Sequence, residues 1–229
     1  GPRDAIDFPV RCARWLLDAA GEYGVPTGAA LDVGCAVGRA SFELARVYDR
    51  VLGVDLSRAF IEAAETLRRD GKLAYFRKDE GELRATPNAI VDPVIDRSRV
   101  SFRQADACAL PAELVDFDAV LLANLLCRLP SPKALLGRLG GPRGLVKPGG
   151  LLAIFSPYSW LESFTPPEAW LGGYERDGNP VTSAAALAEF LRAESFELLR
   201  EADEPLVIRE HARKFQYIVT HATLWRRAE

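Results

Sequence analysis

The residues best placed to do chemistry begin at Leu31-Asp32-Val33-Gly34-Cys35-Ala36-Val37-Gly38. The apolar run Ala29 to Val33 stops at Gly34, and a helical period of apolar residues resumes after Gly38. Two glycines therefore stand at a strand-to-helix junction, where the backbone can turn sharply and approach a ligand without a Cβ clash. Asp55 closes the next apolar run, Val51 to Val54. A carboxylate there can accept both hydrogen bonds of a ribose diol. Strand, glycine turn, helix, strand and acid in that order indicate a nucleotide-type cofactor; a lone glycine motif would be only a structural turn. The spacing also fits a dinucleotide-binding fold, but Gly-x-x-x-Gly lacks the full Gly-x-Gly-x-x-Gly. Asp106 ends a third strand, where it either contacts the cofactor or caps the following turn. Asn124 follows a fourth strand. It either forms an ordinary turn or offers an amide donor and acceptor at a strand C-terminus, where ligands bind in open α/β sheets.

The elements that must position these residues follow from hydrophobic period. Residues 5–20 read as an amphipathic helix ended by Gly21, Gly24 and Pro26, and residues 39–48 as a second helix. Ser57 can cap a third, carrying Phe60, Ile61, Ala64 and Leu67. Strands are expected at 29–33, 51–54, 100–104, 117–123 and 151–155, with Lys147-Pro148-Gly149-Gly150 a turn. Short helices are expected at 132–139 and 183–193, the latter capped by Thr182 or Ser183, and final strands at 196–199 and 217–225. The alternation predicts an α/β fold of Rossmann-like type: a mostly parallel seven-stranded sheet, helices on both faces, and a C-terminal antiparallel hairpin. Residues 3–229 form one domain. Gly1-Pro2 reads as a remnant of tag cleavage. The charged stretch 71–97 reads as an insertion or lid, and 156–181 and 205–216 as substrate-pocket segments.

Composition narrows the function classes. Net charge is −3, so no global field favours nucleic acid or an anionic membrane. No apolar run reaches the roughly 18 residues of a membrane span. Cys12, Cys35, Cys108 and Cys127 form no Cys-x-x-Cys pair and only two histidines exist, so no metal site is expected. Reduced thiols suit a cytoplasmic protein.

The loop, Asp55, Asp106-Ala107-Cys108 and Asn124 together resemble the class I methyltransferase pattern over roughly residues 29–156. The resemblance implies S-adenosylmethionine as cofactor and S-adenosylhomocysteine as product. It implies that Asp32 orders the loop and that Gly34, Cys35, Ala36 and Gly38 line the methionine and ribose. Asp55 with Leu56 would hold the ribose, and Asp106, Ala107 and Cys108 the adenine, with Asp106 on its amino group. Asn124 and Leu125 would face the sulfonium. Further segments are Leu31 to Ala45, Glu80-Gly81-Glu82-Leu83, Ser156-Pro157-Tyr158-Ser159-Trp160-Leu161-Glu162, Trp170-Leu171-Gly172-Gly173 and Ile208 to Gln216. Together they resemble the methyltransferase domain of ovothiol biosynthesis, a domain often fused to, or coupled with, a 5-histidylcysteine sulfoxide synthase. That resemblance implies N-methylation of 5-thiohistidine at the imidazole Nπ, giving ovothiol A.

The residue chemistry is compatible with such a small zwitterionic partner. Arg209, Arg213 and Lys214 can pair with its carboxylate, although the two arginines could instead form a solvated face or a surface ion pair with Glu210. Glu162 or Glu80 can accept its ammonium. Tyr158, Trp160, Phe164 and Phe215 can wall its ring, although Phe215 and Trp160 could equally be core. Asn124 can contact both cofactor and substrate. Tyr158, Glu162 or water could take up a proton. His211 and His221 could act as tautomeric bases, but His221, mid-strand among apolar residues, reads rather as a satisfied structural histidine, and the motif order gives His211 no special claim. Methylation of another small metabolite at N, O or S is the alternative within enzymes, and a non-catalytic cofactor-binding regulatory or partner domain the alternative outside them. No pattern in the sequence reads out an oligomeric state.

Overall fold

The computed structural model describes residues 3–229; Gly1-Pro2, read above as a tag remnant, lies outside the described residues. Seven strands build the central sheet: β1 (Ala29–Val33), β2 (Arg50–Asp55), β3 (Val100–Gln104), β4 (Phe117–Ala123), β5 (Val146–Ser156), β6 (Phe196–His211) and β7 (Lys214–Arg227). Their order across the sheet is β6-β7-β5-β4-β1-β2-β3. Strands β1 to β5 pair in parallel, and β7 runs antiparallel between β5 and β6. The order reverses beside β1, a topological switch point where a crevice opens outside the strands' carboxyl ends.

Helices α1 (Phe8–Tyr23), α2 (Arg39–Leu44) and α3 (Arg58–Asp70) cover one face, and α4 (Pro132–Leu136) and α5 (Ser183–Ala193) the other. The strands that read as continuous apolar runs are buried on both sides, as a doubly covered sheet requires. Leu31, Val33, Val120 and Leu122 pack toward α4 and α5, while Ala30, Ala119 and Leu121 pack toward α1 and α2. Ser57 accepts from the Phe60 N–H at 3.3 Å to start α3, and Thr182 from the Ala185 N–H at 3.2 Å to start α5. Both caps were legible in the sequence.

Two local expectations need correction, and a third gains detail. The Lys147–Gly150 turn lies inside β5, as an irregularity between the pairs Phe117↔Val146 and Ala119↔Leu151. The last two strands run far beyond 196–199 and 217–225. His221 of β7 pairs with Ser156 at the end of β5, so the hairpin overhangs the sheet's carboxyl edge by the stretch before His221. The 71–97 stretch is a nested hairpin arm: Lys72–Ala74 pairs with Asn88–Ile90, and Arg77–Glu80 pairs with Leu83–Ala85. It is not wholly outside the core, since Val91 and Ile95 at its base are buried in the same apolar cluster as α1 and α2. Its outer strand, Arg77–Glu80, packs against β6.

Candidate active site

The glycine loop folds as its residue types require. Gly34 and Gly38 have φ of +77° and +86°, and a Cβ on Gly34 would stand 2.9 Å from the Leu125 side chain. The Gly34 and Cys35 N–H groups both donate to Val54 O, at 2.8 and 3.0 Å. Asp32 is buried beneath the loop and accepts from the Ser41 hydroxyl at 2.6 Å. Burial pushes its carboxyl up to about 6, with the Asp55 charge adding in the same direction and the Ser41 bond opposing. Asp32 thus ties the loop to α2.

Asp55 accepts from the Ala36 N–H at 3.0 Å on one oxygen and from the Ser57 N–H at 2.8 Å on the other. Each carboxylate oxygen retains a further lone pair for a ligand. Asp106 caps its turn with one oxygen, accepting from the Cys108 N–H at 2.8 Å, so the capping reading holds for that oxygen. A cavity of about 150 Å³ brings together Gly34, Asp55, Leu56, Asp106, Ala107 and Leu125, with Arg128 at its wall. The loop's far side, Cys35, Ala36 and Gly38, does not line it, nor do Asp32, Cys108 and Asn124. The Cys35 thiol is pushed up by burial, and the Cys108 Sγ donates to Ser131 O at 3.4 Å.

Asn124 and Tyr158 follow adjacent strands, β4 and β5, and both take left-handed backbone conformations, with φ of +54° and +51°. Such conformations are costly for non-glycine residues and cluster where a site over-determines them. The Asn124 N–H donates to Phe155 O at 2.8 Å. Its Oδ1 is buried without a partner, an acceptor that a bound ligand's donor would satisfy. The Tyr158 N–H donates to Ser156 Oγ at 3.2 Å. Its hydroxyl lies 2.9 Å from His221 Nδ1. Burial, helped by the Glu201 charge, pushes the phenol well above its ordinary range.

Tyr158 and Trp160 line a second, open cavity, of about 480 Å³, whose other walls are Gly173 to Glu175 and Pro180 to Ala184. Trp160 donates to Ser183 Oγ at 2.9 Å and stacks on Trp170 at 6.4 Å between ring centroids. It is therefore both a wall and a packing residue. Not every sequence-predicted substrate residue gathers here. Glu162 and Phe164 stand exposed outside both cavities. Glu80 lies on the insertion arm, in Arg77–Glu80. Arg209, Arg213, Lys214 and Phe215 occupy the overhanging tip of the β6–β7 hairpin. Phe215 is 52% exposed there, which overturns its reading as core. Arg209 sits over its ring at 5.8 Å and donates to His211 O at 3.2 Å, while Lys214 pairs with Glu210 at 2.8 Å.

The sequence reading missed Arg128. Its guanidinium donates to Cys127 O and Ser159 O, both at 2.8 Å, and covers the Phe164 ring at 5.3 Å. It thereby joins the wall of the nucleotide cavity to the segment after β5. Only its place shortly after Asn124 could have signalled it. Among the described residues, no three His, Cys, Asp or Glu side chains gather where they could hold a metal ion, and no helix is long and apolar enough to cross a membrane.

A family model described as a methyltransferase domain matches residues 31–154. Among solved structures, the chain is similar to a SAM-dependent methyltransferase of Methanosarcina mazei, at 19% identity and TM-score 0.56, over 92% of this chain and 97% of that one. It is similar to magnesium protoporphyrin IX methyltransferase of Synechocystis PCC 6803 solved with SAM, at 16% identity and TM-score 0.55, over 96% and 78%. It is also similar to the [4+2]-cyclase SpnF, at 19% identity and TM-score 0.58, over 94% and 81%. At these identities the likeness is one of fold, and the cyclase illustrates that fold alone does not choose a reaction. The matched stretch runs from the glycine loop into β5, and its carboxylate-lined cavity and orphaned Asn124 oxygen suit S-adenosylmethionine. The chain belongs to the methyltransferase domain family and uses that cofactor.

Proposed function

We propose that the chain methylates a ring nitrogen of 5-thiohistidine, the imidazole Nπ, and so forms ovothiol A. The observation that carries this reading is the aromatic cavity beside Tyr158, at the carboxyl edge of β5 and one strand away from Asn124. Tyr158 and Trp160 offer flat apolar surface to an imidazole, and Glu175 offers an acceptor to an ammonium. Two of the segments that carry the family resemblance, Ser156 to Glu162 and Ile208 to Gln216, support the same reading.

In it, Gly34, Asp55, Leu56, Asp106 and Ala107 hold the cofactor's nucleoside, and Asp32, Cys35, Ala36 and Gly38 shape the loop behind it. Asn124 and Leu125 face the reacting groups. S-adenosylmethionine supplies a methyl group on a sulfonium, a good leaving group, so placement of the acceptor dominates the rate. The pocket must also turn the substrate's thiolate, the stronger nucleophile, away from that methyl group. Arg209, Arg213 and Lys214 reach a substrate carboxylate only if the hairpin tip bends toward the cavity, exchanging present partners such as Glu210 for it.

A second reading has its own observation: no Lys or Arg lines the cavity. That lining favours a small ring-bearing metabolite without a carboxylate. Incubation with S-adenosylmethionine and 5-thiohistidine, histidine or a thiol-blocked thiohistidine, with products mapped by mass spectrometry and NMR, separates the two. The expected result is a thiohistidine carrying one methyl on Nπ and none on sulfur. Turnover of other acceptors with no methylated thiohistidine would overturn the substrate assignment and leave the second reading.

A further inference from the structure

His221 stands in β7 opposite Ser156 of β5 on one side and Asp203 of β6 on the other. Both of its ring nitrogens have partners. Nδ1 lies 2.9 Å from the Tyr158 hydroxyl, and Nε2 lies 3.3 Å from Glu201 Oε2. A carboxylate only accepts, so the Glu201 contact requires the proton on Nε2. Nδ1 is then a lone pair, and the Tyr158 O–H must donate to it. This is the logic of a nucleophile–histidine–carboxylate triad with a phenol in first place, the carboxylate fixing the tautomer.

The placement is directional. Tyr158 lines the aromatic cavity. His221 lines a separate cavity of about 220 Å³ that also contains Glu201 and Arg192. Glu201 is exposed, with 60% of its side chain open to solvent. A chain of hydrogen-bonding groups therefore runs from the cavity wall to the surface. The charged groups around His221 are Glu201 and its cross-strand neighbour Asp203, with Arg192 of α5 across the cavity, so carboxylates outnumber cations. The fixed backbone of Tyr158, bonded to the wholly buried Ser156, holds the phenol at the head of this chain.

We propose that Tyr158, His221 and Glu201 form a proton relay that carries the methyl acceptor's proton from the aromatic cavity to solvent. The proposal rests on the reading that a protonated ring nitrogen binds beside Tyr158. The acceptor's N–H proton passes to Tyr158 Oη as the Tyr158 proton passes to His221 Nδ1. The nitrogen keeps its electron pair for the incoming methyl group. The positive charge comes to rest on the His221 imidazolium against Glu201, and Nδ1 or Nε2 then releases a proton toward water. Tyr158 is the catalytic residue; His221 and Glu201 act through it. The buried phenol holds its own proton too tightly to be the terminal base, and Glu162, the other sequence candidate, lies outside the cavity.

The test has two arms. In the first, Tyr158→Phe and His221→Gln each lower kcat for 5-thiohistidine on the order of 10²-fold with KM within about threefold. A variant with wild-type kcat overturns the relay. In the second arm, long-range proton–nitrogen NMR reads the tautomer of His221 without substrate or cofactor. The chain has only two histidines, so a His211→Gln spectrum assigns the signals. The expected wild-type form carries the proton on Nε2, and Glu201→Gln, whose amide can donate or accept, gives a mixture. An Nδ1-protonated wild-type ring overturns the relay. If the wild type makes no methylated thiohistidine, the substrate reading falls by itself, and the tautomer measurement still decides the relay.

Discussion

At the scale of single residues, the site is built from groups held where they are costly. Asp32 is the clearest case, a fully buried carboxyl with one neutral donor, Ser41. Burial raises it from 3.8 to about 6. The folded chain therefore keeps a proton that the unfolded chain has lost, and stability falls as pH rises between about 4 and 6, by up to about 3 kcal/mol. Above that window the cost stays constant. Asp32→Asn keeps a hydrogen-bonding oxygen for Ser41 and removes the charge. Urea unfolding at pH 7.5 is expected to show the variant more stable than the wild type by up to about 3 kcal/mol, with the gap closing toward pH 4. A variant less stable at pH 7.5 would mean that the Asp32 charge has a favourable partner in the folded chain and that the assigned direction is wrong. Asn124 and Tyr158 illustrate the same economy in backbone terms: both take left-handed φ beside the proposed reacting centre.

At the scale of elements, the glycine loop, the parallel strands and the helices were legible because burial on both faces leaves near-continuous apolar runs bounded by Gly, Asp and Ser. The overhanging hairpin was not. Its outer residues run charges such as Arg209 and Glu210 together and leave apolar groups such as Ile208 and Phe215 exposed, a pattern that reads as loop when no second layer covers it. The strands of the insertion arm hid for the same reason: Phe76 and Leu83 are exposed, Val91 and Ile95 are buried, and Leu73 and Ala89 reach the core only in part. Site residues split along this line. Asp55 and Asp106 sit at strand ends and announce themselves by position. The Tyr158–His221 contact joins residues 63 apart in the chain, and no local spacing can predict it. What holds the hairpin to the body is also non-local: Glu204 pairs with Arg11 and accepts from the Trp15 indole at 3.0 Å. Glu204→Ala leaves a part-buried guanidinium and indole without their partner and is expected to cost about 2 kcal/mol, read as a lower urea midpoint. Amide exchange should accelerate first in 204–219. Uniform acceleration across the sheet, with no bias toward the hairpin, would contradict the role of Glu204 as its tether.

At the scale of the whole molecule, the chain's two halves meet at one carboxyl edge: β1 to β4 supply the nucleotide cavity, and the segment after β5 with the start of α5 supplies the aromatic cavity and Tyr158. Arg128 bridges them through Ser159. A ligand seated in the first half must therefore stabilise the second. S-adenosylhomocysteine at 100 times its Kd should add about 2.7 kcal/mol by mass action, a rise in Tm of roughly 5–11 °C for a domain of this size. Amide protection should extend beyond the loop to 158–165, which Arg128 and the Thr165–Leu129 bond at 2.7 Å attach to the nucleotide wall. Asp55→Ala removes the proposed ribose acceptor and also frees the Ala36 and Ser57 N–H groups. The same ligand concentration should then give a shift smaller by several degrees, with Kd weakened at least tenfold. An undiminished shift in Asp55→Ala would remove the ribose from that carboxylate. A normal wild-type shift with protection confined to the loop would instead show that the two cavities are occupied independently, and that the Arg128 bridge is packing alone.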